Sequence, residues 1–159
     1  MRLVTARWDQ LRRLTGSERR LLAKALLLLP LIALGLRLVG FRRFQTALAR
    51  FAPVNGAPLA ERADSMMRQA RAAARMVRVA ARYGPYRATC LRQALTLWWL
   101  LRRQGVASDL CFGARKEADQ VEAHAWVELQ GVALGEAEDI HQRFAPFDRA
   151  IVPMEVRPK

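Results

Sequence analysis

Two side chains have the chemistry of a nucleophile and its base. Cys90 falls at the predicted first turn of a long apolar helix, just after Thr89, a natural N-cap. Unpaired backbone N–H groups and the positive end of the helix dipole favour a thiolate over a thiol at such a place. Arg87 and Arg92 act in the same direction. The plain alternative is a buried cysteine serving as a small hydrophobe. His124, one of two histidines, falls in the middle of an alternating run, on the face opposite Val121, Ala123, Ala125, Val127 and Leu129. A histidine there faces solvent, a cleft or a polar partner. A thiol at a helix start and an imidazole on a following strand are what a cysteine nucleophile requires; the alternative is a histidine on an exposed strand face.

A base of this kind needs an acid on its other ring nitrogen. Glu136, Glu138, Asp139 and Asp148 lie downstream, and Glu136 and Asp139 are placed best if the third strand turns back beside His124. Either can be the third member, not both. Glu128 shares the His124 face but lies too far along the strand to orient the ring. Cys111, among apolar neighbours, reads as core, and His141 as an exposed loop residue. No Cys-x-x-Cys or His-x-x-x-His spacing occurs, so a zinc site is not expected; no bound cofactor is expected either.

The elements that must position these groups can be read from periodicity. Met1 to Gly16 is basic and weakly amphipathic. Ser17, with Glu18 in the first turn, predicts a helix start, and the helix runs through Leu29. Ala25 to Leu36 carries no charge and is interrupted by Pro30; it is shorter than the about 20 residues that cross a bilayer. It reads as a buried or kinked core helix, or more pointedly as a membrane-surface element with an Arg rim. Arg37, Arg42 and Arg43 follow where a signal peptide would need a small-residue cleavage site. Phe51 to Leu59 is a Pro- and Gly-bearing linker. Ala63, Met66, Met67, Ala70, Ala74, Val77 and Ala81 mark the buried face of a helix over 60–83. Gly84-Pro85 ends it, and the Cys90 helix runs to Gln104, with Gly105 as its stop.

Beyond Gly105 the period changes to that of strands. Ser108 to Ala114, Val121 to Leu129 and Val132 to Leu134 are the expected strands, with Lys116 to Gln120 a polar loop and Gln130-Gly131 a turn; residues 135–159 read as irregular. The fold class is α+β: N-terminal helices and a central Cys-bearing helix on a small antiparallel β-meander. Residues 1–55 form an N-terminal helical segment packing on a core of residues 56–159.

The chain has 159 residues and a formal net charge of +13, carried almost entirely by Arg. Such a field draws anions, whether nucleic acid, a membrane surface or an acidic partner. No nucleic-acid reader motif accompanies the charge, so nucleic acid is not the expected partner. Two cysteines in a chain of this length are no disulfide scaffold, and the protein reads as cytoplasmic and reduced.

The stretch Y-R-A-T-C-L-R-Q-A-L-T-L-W-W-L-L-R-R-Q-G-V at 86–106, followed by A-H-A-W-V-E-L-Q-G at 123–131, resembles the protease half of lasso-peptide biosynthesis B proteins, of the transglutaminase-like superfamily. The likeness continues through G-E-A-E-D-I-H-Q-R-F-A-P-F at 135–147 and reaches back to E-R-R-L-L-A-K-A-L-L-L-L at 18–29. It implies a transglutaminase-like, papain-like core with a Cys-His-Asp triad, matched by Cys90 and His124. Glu136 stands where the family acid would fall and Asp139 three residues later; Gln93 replaces an Arg expected in many relatives. The implied activity is removal of the leader from a ribosomally made precursor peptide. The implied partners are that precursor, a separate leader-recognition protein and a lasso cyclase similar to asparagine synthetase. Some relatives need ATP for cleavage; this chain has no P-loop to explain it. The same triad serves a transglutaminase-like acyltransferase, and a non-enzymatic basic module binding nucleic acid or membrane is the third reading.

Overall fold

The structure is a computed structural model and describes residues 14–51, 63–85, 88–117, 120–137 and 139–147. Met1 to Arg13, Arg87, Glu138, Asp148 and the linker beyond Phe51 lie outside these residues. Helix α1 spans Gly16–Val39, α2 Phe41–Phe51, α3 Ala63–Tyr83 and α4 Cys90–Arg103. Strands β1 (Asp109–Glu117), β2 (Gln120–Leu129) and β3 (Val132–Ala133) follow, then the short helix α5 (Ile140–Arg143) and strand β4 (Ala145–Pro146).

The N-cap of α1 is Thr15, not Ser17. Thr15 has a glutamate at the third helical position, so the two close a capping box: Glu18 N donates to Thr15 Oγ1 at 3.3 Å and Thr15 N donates to Glu18 Oε2 at 2.9 Å. Ser17 would have Arg20 in that role. Glu18 also pairs with Arg75 of α3. The helix does not stop at Leu29 but continues through Pro30 to Val39. A proline inside a helix costs about 3 kcal/mol. Burying Leu29 and Ile32, at 2% and 1% exposure, offsets that cost at roughly 1.5–3 kcal/mol each.

Helices α1, α3 and α4 share one hydrophobic cluster with the inner face of the sheet. Leu29, Ile32, Ala73, Val77, Leu95, Trp98 and Leu101 meet Leu110, Ala125, Val127 and Leu129 there. The central position expected for α4 is observed: its buried side chains run from Ala94 to Leu101, and Trp98 Nε1 donates to Ser108 O at 3.1 Å.

The sheet has the order β3-β2-β1-β4 and antiparallel pairing throughout. β1 to β3 form the expected meander, and β4 adds a strand on the free edge of β1. The β1–β2 hairpin is longer than the sequence predicts: Lys116 pairs with Val121 and Glu117 with Gln120 in the ladder. Arg115 holds this end by ion pairs to Glu122 (2.6 Å) and Glu117 (2.8 Å). Gln130 and Gly131, both at positive φ (54° and 76°), make the tight turn into β3.

The outer face of the sheet is not the polar face that alternation predicts. Trp126 is 1% exposed and forms a second small core with Ile140 and Phe144, flanked by Cys111 and Ala133. The segment beyond Gly135 supplies this cover: α5 and β4 fold back over the strands, so its described residues carry regular elements where the sequence reads as irregular.

Candidate active site

The first turn of α4 presents Cys90 as its opening residue, half-buried and unpaired with Cys111. Thr89 is the N-cap as expected, at φ −70°, ψ 164°, with no side-chain cap bond. The turn is tied instead by Gln93, whose backbone N donates to Thr89 O at 3.1 Å and whose Nε2 donates to Ala88 O at 3.0 Å.

Cys90, Gln93, Ala94 and Leu97 form one wall of a cleft of about 290 Å³. β2 supplies His124 to Val127, α3 supplies Ala74, Val77 and Arg78, and the turn after β3 supplies Leu134 to Glu136. The two residues singled out from sequence, one on a helix and one on a strand, therefore border the same cavity. His124 lies on the sheet face that carries Trp126, and its ring stacks on Phe144 (centroids 5.0 Å, 27°) and Trp126 (6.1 Å, 18°).

Of the two candidate acids, the structure brings Glu136 to the histidine. Glu136 Oε2 is 3.3 Å from His124 Nε2. The nitrogen is buried and no hydrogen bond to it is aligned, so the contact is an ion-pair distance, not a formed bond. Contacts of this length between a base and its orienting acid often tighten only when a substrate is bound. Gly135 makes the approach possible. It sits at φ 78°, which favours glycine, and an added Cβ would stand 3.3 Å from Ala74 Cβ and from Arg78 Nη2. Asp139 is exposed at the start of α5 and does not border the cleft; its carbonyl accepts from Gln142 N and Arg143 N.

Glu128 is engaged elsewhere. It accepts from Trp126 Nε1 at 2.6 Å and lies 3.6 Å from His141 Nε2. His141 is exposed as expected, on the short α5 rather than in a loop. Burial first, and then the Glu128 and Asp109 carboxylates, push the Cys111 thiol up to about 12. That group donates to Glu128; Cys111 is half-buried at the edge of the second core rather than within a core.

Three participants were not legible beforehand. Phe144 backs the imidazole, but only a folded tail brings it there. Gly113 is paired with His124 across the β1–β2 ladder; a Cβ on it would lie 2.9 Å from Ala145 O, 2.9 Å from Trp126 and 3.1 Å from Phe144 Cβ. Arg78 borders the cleft from α3, indistinguishable in sequence from its many neighbouring arginines. Among the described residues no three His, Cys, Asp or Glu side chains gather to hold a metal ion. On the other side of the same helical turn, Thr89, Leu91 and Arg92 face a second, open groove of about 620 Å³ with Pro30, Leu34, Arg37 and Phe41.

A family model described as the transglutaminase-like superfamily matches residues 35–149, more than half of the chain. The protein belongs to the transglutaminase-like superfamily. That superfamily includes cysteine peptidases and acyltransferases, and the α+β architecture agrees with its core. No curated protein and no solved structure matches the chain.

Proposed function

We propose that this superfamily member is a cysteine peptidase that removes the leader from a ribosomally synthesised, lasso-type precursor peptide. The observation that carries the reading is the shared cleft: Cys90 opens α4 on one wall, His124 stands on the other, and Glu136 sits 3.3 Å from Nε2 of the imidazole.

With the acid on Nε2, Nδ1 is the nitrogen that serves the thiol. His124 takes the proton from Cys90 Sγ, and the sulfur attacks the scissile carbonyl of the bound peptide. The oxyanion that forms is met by the Cys90 backbone N–H, one of the N–H groups that a helix start leaves without an intrahelical partner. The imidazolium, held by the Glu136 carboxylate, returns its proton to the leaving amine. Water then attacks the thioester, His124 again accepting a proton, and the leader departs as its carboxylic acid. The other product is the core peptide with a free α-amine, the nucleophile a lasso cyclase uses. Capture of the leader is assigned to a separate recognition protein; the described N-terminal residues, 14–51, are helical. The expected compartment is the reducing cytoplasm, where both thiols stay free.

The test is incubation of purified protein with its precursor and recognition partner, followed by mass spectrometry. Hydrolysis yields two fragments whose masses sum to the precursor plus water. Cys90→Ala should abolish them while leaving the circular dichroism spectrum unchanged, and cleavage at the normal rate by that variant would refute the reading. If an added amine appears in the product in place of water, the acyltransferase reading holds instead, since the same three residues serve both reactions.

A further inference from the structure

Helix α1 has two apolar faces and only one of them is used. Ala25, Leu29, Ile32 and Ala33 enter the main core. On the other side Leu27, Leu31, Leu34 and Leu38 are 68%, 59%, 53% and 72% exposed. Their spacings of four, three and four residues place them in one stripe along the helix, about 16 Å long at 1.5 Å per residue. Exposed Arg20 and Lys24 continue the stripe toward the helix start, and exposed Arg37, Arg42 and Arg43 surround its far end. Large aliphatic side chains laid open in a row need a partner.

We infer that this stripe docks the protein on the surface of an anionic lipid bilayer, with the leucines in the acyl boundary and the flanking cations at the headgroup phosphates. Three observations select that occupant. The stripe is purely aliphatic, whereas protein-binding hot spots favour Trp, Tyr and Arg at their centres; acyl chains ask only for apolar area. Exposed cations stand at both ends of the apolar row, within reach of anionic headgroups when the helix lies in the interface plane. The chain carries +13, which draws it to an anionic surface and opposes a second copy of itself. α1 is long and apolar enough to cross a membrane. Its inner face is nevertheless locked into the cluster that holds α4, so docking is peripheral and leaves the fold intact. The inference is independent of the proposed peptidase activity.

Flotation with phosphatidylcholine vesicles, with and without phosphatidylglycerol, tests it on the full chain. The wild type should float with the anionic vesicles and remain at the bottom with the neutral ones. Leu27→Glu/Leu31→Glu removes two exposed side chains and should keep the native circular dichroism spectrum. It should lose at least about tenfold in anionic-vesicle affinity, the effect of withdrawing two leucines from an apolar phase. Arg20→Gln/Lys24→Gln should weaken binding and flatten its dependence on salt. The inference is overturned if the wild type does not float with anionic vesicles at low salt. It is equally overturned if the double glutamate variant floats as well as wild type, or if light scattering finds a wild-type dimer that the variant converts to monomer.

Discussion

The two thiols sit in opposite circumstances. Cys90 opens a helix at the rim of a cleft, and Cys111, half-buried against the second core, donates into Glu128. Brief iodoacetamide treatment at mildly acidic pH should therefore alkylate Cys90 well before Cys111, read by peptide mass mapping; equal labelling would count against an activated Cys90. Cys111 also sets a pH response. Its thiol, ordinarily at 9.0, is raised to about 12 in the folded protein, so the unfolded chain releases this proton first. The stabilisation is complete below pH 9 and is lost as pH rises toward 12. Urea melts over that range should show a decline in stability that Cys111→Ser reduces. Between the acids, Glu136→Gln should slow cleavage by roughly 10²-fold or more, and Asp139→Asn should change it little, as measured by single-turnover kinetics. Cys90 and His124 were legible because each contradicts its surroundings: a thiol where an apolar helix begins, an imidazole in an alternating strand. The choice of Glu136 was not, because it rests on how Gly135 turns the chain, and Glu136 and Asp139 both follow the same short strand.

The elements were legible where one periodicity ruled and misread where two local signals competed. α3, α4 and the β1–β2 hairpin follow from spacing. The start of α1 turned on the third helical position, where Glu18 answers Thr15, and its length on burial that outweighs Pro30. Thr15→Ala should cost about 1 kcal/mol in chemical denaturation, and Ser17→Ala much less. The tail was the largest omission. Its α5 and β4 are too short to carry a period of their own and owe their existence to Trp126, Ile140 and Phe144 meeting on the outer sheet face.

Across the whole molecule, α1 and α4 are parts of one core. Leu29 and Leu95 belong to the same cluster, so the helix that holds the proposed nucleophile is seated on the one that carries the exposed leucine stripe. Leu29→Ala should lower stability by about 2–5 kcal/mol in a single cooperative transition seen by both tryptophan fluorescence and circular dichroism. A shift in one probe alone would mean that α1 melts separately. The α+β class was legible at this scale because helices precede strands without alternating, which excludes a doubly wound sheet. The double-sided burial of the sheet was not, since one strand's alternation cannot disclose what a distant segment will cover.

Phe144, the ring behind His124, leads directly into β4, which among the described residues pairs with β1 at Gly113–Pro146 and Ala114–Ala145 and adds a bond from Phe147 N to Phe112 O at 2.9 Å. So short a clasp is among the first pieces of a fold to let go. If this edge and the small core of Trp126, Ile140 and Phe144 loosen first, the proposed activity should fade on warming before the helices melt, read by paired activity and circular dichroism melts. Temperature would then act on this protein as a dimmer switch, resettable on cooling, long before it acted as a denaturant.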